Sequence, residues 1–212
     1  MKKINLLFTF IFSLLVIVLI YSGYKIFSKY KEKIVAEQNN PIVKVDYNTE
    51  NIISKMKKTY NNEDIIGVLN IANMDLIVVQ GNDNKFYLNH LLNKEQNPAG
   101  SIFLDYRENV DTSKQLNIFG HTSDYYYLPF NDLMNFMDYN FYQKNKNVTL
   151  TTENDTYKYE IFSVKKTEEE NHLDISFNNL DEYKTHLDEL KKDSLYETNV
   201  DVQVSDKILI IY

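Results

Sequence analysis

The chain opens on a block of nearly unbroken hydrophobicity, and the remainder is written in short alternating or helical stretches. From Ile4 to Phe27 the sequence INLLFTFIFSLLVIVLIYSGYKIF is interrupted mainly by Asn5, Thr9, Ser13, Ser22 and Lys25. About 20 apolar residues rising ~1.5 Å each cross a hydrocarbon layer of about 30 Å, so the pattern predicts a transmembrane helix. A cleavable signal peptide would carry an apolar stretch of about 7–15 residues ending at a small-residue site. This run is longer, and Ser22-Gly23 is a weak candidate for cleavage, so an uncleaved anchor is expected. The resulting division is an N-terminal tip and anchor over 1–30, a polar linker over 31–47 broken at Gln38-Asn39-Asn40-Pro41, and a folded domain over 48–212.

Within that domain, Ile52, Ile53, Met56 and Tyr60 fall at helical spacing, with Lys55, Lys57 and Lys58 opposite, and predict a packing helix over Thr49–Tyr60. Ile65 to Gln80 predicts two strands joined around Ala72-Asn73-Met74. A short helix over Lys85–Leu92 is stopped by Pro98-Ala99-Gly100, and strands come next at Ser101–Tyr106 and Gln115–Phe119. Asn131–Tyr142 predicts one helix whose aromatic stripe is core. Val148–Thr152 and Tyr157–Val164 predict a hairpin, Leu180–Lys192 an amphipathic helix, Val200–Val204 a strand, and Lys207–Tyr212 a buried strand. Many short strands with a few helices between them predict a small closed β-barrel decorated by helices. The last stretch, KILIIY, is apolar where a terminus is normally exposed. It is either a barrel edge or a strand that something should succeed.

At 43% hydrophobic and 25% charged positions, the 212 residues can bury one core once the anchor is subtracted. From Ile34 onward there are 17 basic against 29 acidic residues, a net of −12, which would repel a phosphate backbone and argues against nucleic acid as a partner. There is no cysteine, which excludes disulfides, thiolate metal sites and thiol catalysis by these residues. No cofactor is called for. His90, His172 and His186 lack ligand spacing, so no metal site is expected.

The stretch of most chemical interest is LNIFGHTSDYYYLPF, Leu116–Phe130, where an apolar strand stops at Gly120 and presents His121. A histidine's ordinary pKa of about 6.5 suits proton transfer near neutral pH. Such a base needs a nucleophile. Thr122 and Ser123 adjoin it, but no third group is placed to make a serine triad.

The chain resembles the class B sortases, membrane-anchored cysteine transpeptidases of the Gram-positive cell envelope. The resemblance is carried by the N-terminal anchor, EDIIGVLNI at Glu63–Ile71, VVQG at Val78–Gly81, FYLN at Phe86–Asn89 and GSIFLDYREN at Gly100–Asn109. It continues through NIFGH at Asn117–His121, NFYQKNK at Asn140–Lys146, HLDELKKDS and NVDVQVSDKILIIY. It implies a mainly β fold with helices, a sortase-like closed barrel here lacking its last strand, behind an N-terminal transmembrane helix. It also implies a single-pass protein of the cell membrane with its N-terminal tip in the cytoplasm and its domain on the extracellular face. The lysines flanking the anchor do not by themselves orient it.

By the same resemblance His121 stands where the family has its catalytic histidine. The family's cysteine nucleophile would fall two positions beyond Tyr212, and its arginine on a further strand. Arg107 matches a different position and is expected to be a strand-end charge. In such enzymes the thiolate attacks the Thr carbonyl of an Asn-Pro-x-Thr type sorting signal, and a peptidoglycan amine resolves the acyl-enzyme. The implied partners are thus a sorting-signal peptide, the peptidoglycan amine and the membrane. Asn89, Tyr125, Tyr126, Tyr127 and the loop Glu168–Ile175 are expected to border the substrate groove. Two readings stay open: an active sortase cut short before its cysteine, or a complete but catalytically dead membrane-anchored protein, either a peptide-binding pseudoenzyme or a gene remnant. Either way the barrel is expected to expose an unpaired edge and to be poorly soluble.

Overall fold

A computed structural model of the chain describes residues 2–39, 52–124, 127–167 and 176–212. These fall into two compact units, Met1–Gln38 and Asn39–Tyr212.

The first unit is one helix, α1 (Lys2–Asn39), whose stretch Phe8–Ala36 is long and apolar enough to cross a membrane. The Ser13 hydroxyl donates to the Thr9 carbonyl at 2.8 Å, so this polar side chain is satisfied within the helix, as lipid would require. The helix runs into the polar segment expected as a linker, so residues 31–39 are helical; residues 40–47 of that segment lie outside the described part.

The second unit contains α2 (Ile52–Tyr60), β1 (Ile65–Ile71), β2 (Met74–Val79), β3 (Phe103–Leu104), β4 (Gln115–Phe119), α3 (Tyr139–Lys144), β5 (Asn147–Thr152), β6 (Thr156–Glu160), α4 (Leu180–Lys192) and β7 (Ile208–Ile211). One seven-stranded sheet runs β6-β5-β1-β2-β3-β4-β7 and curls into a barrel. Its pairs are antiparallel except β2–β3 and β4–β7. Ala72 and Asn73 both take positive φ, 50° and 64°, which makes the two-residue β1–β2 connection twist the way a hairpin needs.

Leu69, Ile71, Met74, Leu76, Val78, Leu104, Leu116, Ile118, Val148 and Leu150 fill the barrel interior with Phe130 and Tyr142. The alternate positions Ile65, Val68, Ile77 and Val79 are buried on the outside because Ile53 and Met56 of α2 cover them. That second layer is why β1 and β2 read as nearly continuous apolar runs. β7 is divided the same way: Leu209 and Ile211 pack on the interior, Ile208 and Ile210 against Tyr183 and Leu187 of α4.

The barrel closes except at one seam. β6 and β7 are its two edges, and between them lies a cleft of about 1000 Å³ lined by Tyr157, Tyr159, Ile161, Leu209, Ile211 and their neighbours. Following the pairings around the sheet, β6 and β7 point the same way, so a single strand antiparallel to both would seal the gap.

Five expected elements differ, among them the strand expected over Tyr157–Val164, which ends at Glu160. The helix expected over Asn131–Tyr142 is two, a 3-10 helix at Pro129–Met137 and α3, because the Asp138 carboxylate accepts from the Asn140 amide at 2.6 Å and starts a new helix. The short helix near Lys85 contracts to one 3-10 turn, Phe86–Leu88. The strand at Ser101–Tyr106 keeps only Phe103–Leu104 in the ladder. Val200–Val204 forms no strand: Val202 and Val204 pack under α4, while the Lys191 ammonium donates to the Val200 carbonyl at 2.8 Å. Alternation there records packing on a helix, with no ladder partner.

Candidate active site

Leu116 and Ile118 anchor β4 in the barrel, and Gly120 ends it. A Cβ on Gly120 would lie 2.5 Å from Cδ2 of Phe130, so only glycine lets that ring cap the strand end. The chain then leaves the sheet and presents His121, partly exposed, at a cavity of about 20 Å³ shared with Ala99, Ser101, Leu128, Pro129 and Phe130. The Nε2 of His121 donates to the Leu88 carbonyl at 2.8 Å.

β7 runs parallel to β4 in register from Gln115–Ile208 to Ile118–Ile211. The pairing continues past the strand, since the Tyr212 amide donates to the Ile118 carbonyl at 2.9 Å and the Gly120 amide to the Tyr212 carbonyl at 3.1 Å. The Tyr212 ring stacks on Phe119, with centroids 5.3 Å apart. The ends of β4 and β7 therefore stand side by side, and the position beside His121 is reached from β7.

Of the other residues singled out in the sequence, Asn89 is exposed and follows Leu88, the residue whose carbonyl holds His121. Tyr127 gives its hydroxyl to Asp132 at 2.7 Å, and burial together with that bond pushes it up to about 12. Tyr125, Tyr126 and the loop Glu168–Ile175, with His172, lie outside the described residues. Arg107 is committed elsewhere: Nε and Nη2 grip Asp105 at 2.8 and 2.6 Å. Burial opposes ionisation of Asp105, but these bonds hold its carboxyl below the usual carboxylate range. Ser123 is clasped through its backbone by Asn131. His90 stacks on Phe86, and Nε2 of His186 lies 2.8 Å from the Gln115 side-chain oxygen. Among the described residues no group of three His, Asp or Glu side chains could hold a metal ion.

Sequence reasoning passed over Glu108. It is buried, accepts from the Asn117 amide at 2.6 Å and from the Asn117 side chain, and Asn117 in turn accepts from Gln115 at 3.0 Å. Burial pushes the Glu108 carboxyl up to about 7 against the pull of those donors. The available signal was Asn117 itself, a polar residue inside an apolar strand. Leu88 could not have been found, since its contribution is a backbone carbonyl.

A model of the sortase domain matches residues 68–199. Sortase B of Staphylococcus aureus (strain NCTC 8325 / PS 47) is 29% identical, over 92% of this chain and 84% of its own length. Among solved structures, sortase B of Clostridium perfringens superposes with a TM-score of 0.66 at 31% identity, covering 74% of this chain and 89% of that one. A Staphylococcus aureus sortase B–substrate complex gives 0.69 at 26% identity, over 89% of this chain and 84% of that one.

Proposed function

The chain belongs to the sortase family, in its class B branch, and from that premise we propose that it handles the sorting-signal peptide of secreted surface proteins at the outer face of the cell membrane. In this reading α1 stays as an uncleaved single-pass anchor, residues 31–47 are a stalk, and the domain beyond is extracellular. His121 is the group that protonates the leaving amine when a thiolate attacks the threonine carbonyl of an Asn-Pro-x-Thr type signal, and a peptidoglycan amine then takes the acyl group. Asn89 and Tyr125–Tyr127 border the bound peptide.

The observation that carries the reading is the pairing of Gly120 with Tyr212, which brings the end of β7 beside His121. That reaction needs a thiol at this spot, and the 212 residues contain none. A polypeptide of these residues alone is accordingly proposed to bind the signal without cleaving it. The test is to offer the chain, in detergent micelles, a fluorescence-quenched Asn-Pro-x-Thr peptide and measure anisotropy and dequenching together. Binding without dequenching is expected. Turnover that disappears in His121→Ala would mean that another nucleophile serves, and absence of binding would remove the peptide from the reading.

A further inference from the structure

Gly100 faces the imidazole edge that makes the hydrogen bond, and the proposed chemistry gives it no role. Its φ is +60°, and a Cβ built on it would lie 2.6 Å from the Tyr87 carbonyl oxygen, 2.7 Å from that of Leu88 and 3.0 Å from Cδ2 of His121. Cδ2 is the carbon bonded to Nε2, so the space left by the missing methyl is bounded by both partners of the His121–Leu88 bond. We propose that Gly100 is a positioning residue: it lets the Leu88 carbonyl reach His121 and fix the ring with its proton on Nε2, leaving Nδ1 as the atom that exchanges a proton.

The backbone around this space has little room to retreat. Ser101 donates its amide to the Tyr87 carbonyl at 2.9 Å and its hydroxyl to the His90 carbonyl at 2.9 Å. Asn97 donates to the Asn89 carbonyl at 2.9 Å, and Gly100 to the Asn97 carbonyl at 3.0 Å. Residues 97–101 are thus laced to residues 87–90, and a side chain at 100 would have to displace either Leu88 or the imidazole.

The tautomer is set by the partner. A carbonyl oxygen only accepts, so Nε2 must carry hydrogen, and a neutral imidazole with hydrogen there has its lone pair on Nδ1. Taking the proton of an attacking thiol at Nδ1 gives the imidazolium and the thiolate, and passing that proton to the leaving amine restores the neutral ring. The bond from Nε2 to Leu88 persists through both halves of the cycle. This last step rests on the proposed role of His121; the positioning by Gly100 does not.

The experiment is nitrogen-detected NMR of the full chain, labelled with nitrogen-15 at histidine and carbon-13 at the leucine carbonyls, in micelles. The unmutated protein should show His121 as a single Nε2–H tautomer, with a coupling across the hydrogen bond from Nε2 to the Leu88 carbonyl carbon. In Gly100→Ala that coupling should vanish and the two ring nitrogens should shift toward an average of tautomers. Gly100→Asn tolerates positive φ and so isolates the contact from the backbone strain; the same loss is expected. A mixed tautomer in the unmutated chain, or a coupling that survives either substitution, overturns the proposal while leaving the peptide chemistry standing. Failure of both variants to fold overturns it too, because the glycine would then serve the fold first.

Discussion

The amide of Gly120 donates to the carbonyl of Tyr212 at 3.1 Å, which sets residue 212 opposite Phe119, two positions short of His121, across two parallel strands. Strands this close in register deliver their next residues to the same rim of the barrel.

That relationship predicts where a nucleophile would work. Extending the chain so that a cysteine stands two positions beyond Tyr212 should give thiolate-dependent cleavage of an Asn-Pro-x-Thr peptide. A cysteine one position earlier should be at least tenfold slower, because adjacent residues of a strand point to opposite faces. Iodoacetamide-sensitive release of the peptide is the readout, and equal rates from the two positions would contradict the register.

Gly120→Ala should destabilise the domain by about 1–3 kcal/mol, as an added methyl in a filled core forces its neighbours off their rotamers. The methyl would meet Phe130 at 2.5 Å. Urea unfolding measures this, and adding Phe130→Leu should recover part of the loss by making room.

Glu108 predicts an unusual pH dependence. Its carboxyl is pushed from 4.5 up to about 7, so between those values the folded state holds a proton that the unfolded chain has released. Stability should therefore be greatest below the unfolded value, fall as pH rises toward neutrality and level off above it, by on the order of 2–3 kcal/mol. Glu108→Gln should remove that slope. Asp105 is lowered and acts with the opposite sign, losing its contribution only as pH falls below the ordinary carboxylate range. Urea midpoints of both chains across the acid-to-neutral range decide it; parallel curves would refute the shift.

If α1 is an uncleaved anchor, protein recovered from membranes should have an intact N-terminus by mass spectrometry and resist carbonate extraction. Replacing Leu15 and Ile17 with Lys should reduce membrane insertion, since each charge near the helix centre costs about 2.5–3.5 kcal/mol. A species starting after Ser22 would instead identify a signal peptide.

Much of the domain was legible because it is locally encoded. The β1–β2 hairpin, β4 and α4 each carry their own period, and a strand that stops at Gly120 marks His121 without reference to anything distant. The break at Asp138 was missed because a cap competes with a helix only by a side chain turning back on its own backbone. Val200–Val204 misled because an apolar alternation records burial and does not say whether the neighbour is a strand or a helix.

What the sequence determined by itself was therefore an apolar helix, a set of short strands, an acidic surface and a histidine at a strand end with no cysteine anywhere. Only the tertiary structure decided that Tyr212 lies against Gly120, that Leu88 holds His121, and that the expected gap in the barrel falls between β6 and β7. Side-chain periodicity is written residue by residue, whereas these relationships are made by backbone amides and carbonyls, which every residue but proline carries alike and which take their partners from wherever the fold brings them.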